Sequence, residues 1–176
     1  MEQLALVNIL CADASGLIAA VTGRLFDLGV NLGDTSFAVL GEAAELSAIC
    51  ELPDGLSLAM VDRELRTLPA LATATLSVQP FAFRPTHAPS ARITHRIEIT
   101  GDDSPGLIAR LSEAFPGFGA NIVWLNSESL EGASGARFLL RMAIWVPDEK
   151  AEACLATVAN TAGQMNLKCQ WSKETA

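Results

Sequence analysis

The sequence predicts an α+β chain built from two copies of one small βαββαβ domain. Three observations carry this. The phrase Asp13-Ala14-Ser15-Gly16-Leu17-Ile18-Ala19, followed after nine residues by Gly29-Val30-Asn31-Leu32, returns as Asp103-Ser104-Pro105-Gly106-Leu107-Ile108-Ala109 and, after the same gap, Gly119-Ala120-Asn121-Ile122. A repeat at constant spacing changes the reading of the whole fold. Between the two halves of each phrase, apolar residues recur on one helical face: Leu17, Ile18, Val21, Leu25 and Leu28, then Leu107, Ile108, Leu111, Phe115 and Phe118 at the same offsets. On either side of these helices the periodicity becomes strand-like.

In the first half, Leu4–Leu10 is a compact apolar run, interrupted only by Asn8, and reads as a buried strand. The helix follows and is ended by Gly29, the residue best suited to a left-handed C-terminus. Asn31–Leu40 and Glu45–Leu52 read as a hairpin joined by Gly41-Glu42-Ala43-Ala44. Pro53-Asp54-Gly55 is a turn. Leu58, Val61, Leu65 and Leu68 mark a second helix closed by Pro69, and Thr73–Val78 alternates as a fourth strand. The second half repeats the order: strand Arg96–Thr100, a helix stopped by Gly119, strands near Asn121–Leu130 and Arg137–Val146, a helix from Pro147-Asp148 to Ala162, and strand Asn166–Trp171. Its hairpin tip, Glu131 to Gly135, reads as longer and looser. Pro116 stands where the first copy has Phe26, which predicts a kink or an early helix end.

The domains are therefore expected at 1–80 and 96–172, with a linker at 81–95 and a frayed tail at 173–176. Pro80, Pro85 and Pro89 keep the linker extended, and Phe81 and Phe83 are expected to tack its start onto the first domain. Right-handed crossovers make each βαββαβ unit a four-stranded antiparallel sheet with both helices on one face, the ferredoxin-like arrangement. The first and third strands are central, and the second and fourth are edges. One sheet face carries no helix, and the second-strand edge is open to pairing.

Composition narrows the function. The chain has 176 residues, half of them hydrophobic and only 18% charged. Two domains of this size are marginal alone, so packing on each other or on a second chain, as a homodimer, is expected. Net charge is −8, of which residues 1–80 carry −7. No basic stripe is present to neutralise phosphates, which argues against direct nucleic-acid binding. No apolar run reaches the length of a membrane span. Met1-Glu2-Gln3 has no basic region and leads straight into a strand, so no signal peptide is expected. Cys11, Cys50, Cys154 and Cys169 form no CxxC pair and sit in apolar contexts; they read as buried, reduced thiols of a cytoplasmic protein. His87 and His95 lie in or beside the linker and read as solvated. No metal site, no catalytic residue set and no cofactor is expected.

The repeated phrase carries the chemistry. Asp13 and Asp103 fall in the loop leaving the first strand, with Gly16 and Gly106 in the first helical turn. Ser104 suits the cap and Pro105 the first helical position. Free N–H groups at a helix start attract a carboxylate, and glycine admits a close approach. Asn31 and Asn121 open the second strand, where they are expected at the same end of the sheet; a side-chain amide offers donor and acceptor. An acidic group, N–H donors and an amide together suit a zwitterion. Each residue also has an ordinary role, as a cap or a turn former.

On this phrase and this element order, the sequence resembles the ACT domain, a family of small regulatory modules that commonly bind amino acids between domains. The tandem arrangement resembles the glycine cleavage system transcriptional repressor family. By that resemblance Asp13, Ser15, Gly16, Leu17 and Asn31 would line one ligand edge, and Asp103, Ser104, Gly106, Leu107 and Asn121 the other. It implies a non-enzymatic regulator that senses a small amino acid, glycine or serine first, and acts through a protein partner such as a transcription regulator. The rival expectation is an oligomerisation module with no ligand. Trp124, Phe138 and Trp145 enrich the second domain's strands, fitting either its core or a partner surface.

Overall fold

The computed structural model describes residues 3–132 and 135–175, and the side chains of these outside 130–136. The chain divides into two compact units, Met1–Pro85 and Thr86–Ala176. The first comprises β1 (Gln3–Ala12), α1 (Leu17–Asp27), β2 (Asn31–Leu40), β3 (Ala43–Leu52), α2 (Leu58–Arg66) and β4 (Thr75–Pro80). The second comprises β5 (His95–Asp102), α3 (Leu107–Ser112), β6 (Asn121–Gly132), β7 (Gly135–Trp145), α4 (Asp148–Gln164) and β8 (Lys168–Lys173). Each unit is one four-stranded antiparallel sheet, ordered β2-β3-β1-β4 and β6-β7-β5-β8. These are two ferredoxin-like domains, with the first and third strands central as expected.

Alternation on the strands builds each core. Ala5, Val7, Ile9 and Cys11 of β1 and Ala44, Leu46, Ala48 and Cys50 of β3 are buried. They pack with Leu17, Val21 and Leu25 of α1 and Val61 and Leu65 of α2, so both helices lie on one face. Arg24 of α1 clasps α2 from above, donating to Glu64 Oε2 at 3.1 Å and Thr67 Oγ1 at 2.7 Å. In the second unit Ile97, Ile99, Leu140, Met142 and Ile144 meet Leu107, Leu111, Leu155 and Val158 in the same way. Phe138 belongs to this core, whereas Trp124 is exposed and Trp145 half-buried.

The glycines close the helices as the sequence predicts. Gly29 has φ +74° and donates to Phe26 O, while Val30 donates to Leu25 O. Gly119, φ +66°, repeats this with Pro116 and Phe115. Such paired bonds satisfy carbonyls that a helix end leaves open. α3 stops at Ser112, and Pro116–Phe118 forms a separate 3-10 turn, so Pro116 does end that helix early.

Several expected boundaries move. Pro69 closes α2 but also opens a 3-10 turn through the buried Leu71, and this shifts β4 two residues later than Thr73–Val78. In the second hairpin β6 and β7 pair out to Gly132 and Gly135, so its strands are longer than expected, while residues 133 and 134, on which the expectation of a looser tip falls, lie outside the described residues. β8 runs to Lys173, and Glu174 is tied down by its N–H to Thr94 O at 2.8 Å and a two-bond pair with Arg96. Residues 173–174 are thus not frayed. Phe81 continues the ladder by donating to Leu4 O, but Phe83 only meets the Phe81 ring edge-on and stays 78% exposed. His95 is buried as the first residue of β5, not solvated.

Candidate functional site

The loop after β1 is fixed by backbone geometry. Asp13 donates its N–H to Glu42 O at 2.9 Å, tying the loop to the β2–β3 tip. Gly16 then turns left-handed, φ +82°, at the N-cap of α1, with no side-chain cap; Gly106, φ +86°, does the same for α3. Gly16 and Gly106 therefore precede the first helical turn rather than sit within it. Ser104 does not cap, and Pro105 is not the first helical residue, because the left-handed glycine makes the bend and starts the helix at Leu107. Asp13, Ser15, Gly16, Asp103, Ser104 and Gly106 are exposed, while Leu17 and Leu107 point into the cores. The helix starts therefore present N–H groups uncapped by any side chain, which suits a carboxylate.

The asparagines do not join these loops within a unit. Asn31 pairs with Glu51 and Glu51 with Leu4, whereas Leu40 pairs with Ala43 and Ala43 with Ala12. Eight strand residues separate the two levels, roughly 27 Å at strand spacing. The expectation that Asn31 shares a sheet end with Asp13 is thus wrong, and likewise for Asn121 and Asp103. The reason is elementary. β1 and β2 are parallel with β3 between them, so the start of β2 lies at the start of β1, a helix length away from the loop.

At its own end, Asn31 donates to Glu51 Oε2 at 2.7 Å, which leaves its Oδ1 as acceptor. Asn121 instead donates to Ser90 O at 3.0 Å, because Trp145 occupies the position opposite. Beside Asn31 a shallow groove of about 520 Å³ runs along α1, lined by Thr22, Gly23, Phe26 and Leu32. Sequence reasoning missed Glu51, whose only signal was its register opposite Asn31.

Among the described residues, no group of three or more His, Cys, Asp or Glu is placed to hold a metal, and no helix is long and apolar enough to cross a membrane. Burial pushes the Cys50 thiol up to about 11 and raises Cys11, Cys154 and Cys169, so none is activated as a thiolate. Cys169 is half-buried rather than fully buried.

Comparison with known proteins adds the fold's wider context. No family model matches the chain, and no curated protein matches it in sequence. Solved structures that match end to end include two with high superposition scores. A protein of unknown function from Galdieria sulphuraria superposes with a TM-score of 0.77 at 17% identity, over 99% of this chain and 100% of that one. A structure described as a "putative glycine cleavage system transcriptional repressor" superposes with a TM-score of 0.70 at 13% identity, over 100% of this chain and 99% of that one. The chain has a tandem ACT-like fold.

Proposed function

We propose that this chain is a non-catalytic regulatory protein that senses a small amino acid and passes the result to a protein partner, a transcription regulator. Glycine and serine are the ligands expected first. The observation that carries this reading is the duplicated, uncapped, glycine-led helix start beside an exposed Asp, paired in each unit with an Asn at the opposite end of an edge strand. The full-length likeness to a structure whose description names the glycine cleavage system supports the same direction.

One unit holds only half of such a site, and a second copy of the chain supplies the rest. Among the described residues β2 bonds to β3 alone, and its Phe37, Val39 and Leu40 are exposed. A long apolar edge of this kind pairs readily. Antiparallel pairing of two β2 edges brings Asn31 of one copy beside the Asp13–Gly16 loop of the other. The ligand carboxylate then meets the helix-start N–H groups, and its ammonium meets Asn31 Oδ1 and Asp13. A calorimetric titration with glycine and serine tests this. Saturable heat that is lost in Asp13→Ala and Asn31→Ala, with Asp103→Ala and Asn121→Ala reporting on the second unit, is the expected result; unchanged affinity in all four sinks the assignment. The same apolar edge also supports a second reading, an assembly module without ligand, which predicts a dimer and no heat.

A further inference from the structure

On the amino-acid reading above, on which this rests, we propose that linker residues 89–94 are a movable part of the second unit's site. Asn121 holds the segment, and a ligand on Asn121 holds it more firmly. One difference between the copies creates this. Asn31 stands opposite Glu51, whereas Asn121 stands opposite Trp145. A carboxylate accepts from an amide N–H, but an indole only donates. Asn31 is therefore oriented by its own sheet, through Glu51 Oε2 at 2.7 Å. Asn121 lacks that acceptor across the strand, and its Nδ2 donates to the main-chain carbonyl of Ser90 at 3.0 Å. Its Oδ1 is left for the ligand ammonium, as in the first unit.

The segment is tied at two points. At the far end Thr94 donates its N–H to Ile144 O at 2.8 Å. Its Oγ1 takes the Val146 N–H at 3.0 Å, and its carbonyl takes the Glu174 N–H at 2.8 Å. At the near end, Pro89–Ala91 is a 3-10 turn that lies on β6 and β7. Ser90 and Ala91 are half-buried and Arg92 is exposed, so little apolar surface holds this turn beyond the Asn121 bond. Such a turn opens far more readily than the sheet beneath it. A ligand on Oδ1 fixes the same amide that grips Ser90, and an amide accepting at its oxygen donates more strongly from its nitrogen. Ligand binding and turn docking therefore favour each other by equal factors.

The effect reaches the tether between the units. The first unit holds the chain as far as Phe81, through its bond to Leu4 O. With the turn docked, residues 82–88 connect the two held points; with it released, residues 82–93 do. Ligand at the second unit thus shortens the tether, and with it the reach of one unit from the other. In the first unit Glu51 belongs to β3, so ligand on Asn31 moves no comparable segment.

Limited trypsin cleavage of the full chain tests the proposal. Trypsin cuts after Arg92, whereas Pro85 shields the bond after Arg84. Cleavage of a rapidly opening segment follows its open population, and one lost hydrogen bond should raise that about fivefold. This rise is expected in Asn121→Ala and in Asn121→Asp, which keeps the shape and loses the donor. Asn121 is exposed, so both variants keep the fold, as melting curves verify. Glycine or serine, at a concentration that saturates the calorimetric heat, should slow cleavage of the wild type by about fivefold or more. The same addition should slow Asn31→Ala and leave both Asn121 variants unchanged. Equal cleavage in the wild type and the Asn121 variants overturns the proposal, as does saturable heat without slowing in the wild type. No heat with either amino acid removes the amino-acid reading itself, and the coupling with it.

Discussion

At Gly16 and Gly106 a single backbone angle decides how each helix begins. Both hold positive φ, and a Cβ built on either meets nothing within 4 Å. Substitution is therefore costly through the backbone alone. Gly16→Ala is expected to destabilise the first unit by about 1–2 kcal/mol, read as a lower urea midpoint with an unchanged slope. His95 supplies a second residue-scale test. Its ring is buried, 3.1 Å from Thr94 Oγ1 and edge-on to Trp171, and burial followed by Lys173 lowers its pKa while Asp148 partly opposes. The unfolded chain thus binds the proton more readily than the folded one. Stability is full above the ordinary histidine value of about 6.5 and falls as pH drops below it. Thermal melts from pH 7.5 to 5 should show this loss, and His95→Phe should flatten it. At this scale the glycines were legible, because a repeat marks positions that spacing alone does not. His95 was not: nearness to three prolines looked like linker, while its burial depends on β8 and Trp171, seventy-six residues further on.

Among the elements, β2 carries the consequence. Among the described residues it has one bonded neighbour and offers its other edge with Phe37, Val39 and Leu40 exposed; Phe26, 78% exposed on α1, lies at the strand's opposite end with Asn31 and Leu32. Native edges are commonly blunted by a charge. Val39→Lys is expected to convert a dimer to a monomer in sedimentation, and to abolish amino-acid binding with it while the melting temperature moves little. Strand existence and order were legible from alternation and turn residues, since those reflect local backbone preference. Strand ends were not: the Leu71 turn and the tie between Glu174 and Arg96 are tertiary contacts. The larger error concerned Asn31. It lies close to Asp13 in sequence, yet α1 and the parallel course of β1 and β2 carry it to the far end of the sheet.

For the whole molecule, duplication has produced two units with one topology and different surfaces. The first opposes Asn31 with Glu51, the second opposes Asn121 with Trp145 and gives its amide to Ser90. The first places Leu6 and Ile49 on its helix-free face, where the second has Arg96 and Ala143 beside an exposed Trp124. The repeat made the architecture readable, and the divergence lies in cross-strand partners, which only register reveals. The central claim is that Asp13 and Asn31 act together from different copies of the chain. Mixing answers it most directly. In a background with Asp103 and Asn121 both replaced by alanine, Asp13→Ala chains and Asn31→Ala chains are each titrated with glycine and serine, then unfolded, mixed equally, refolded and titrated again. Each variant alone should be silent. The mixture should recover about a quarter of the original sites, since half the two-fold dimers are mixed and each of these rebuilds one site of two. A mixture as silent as its parents would contradict the account.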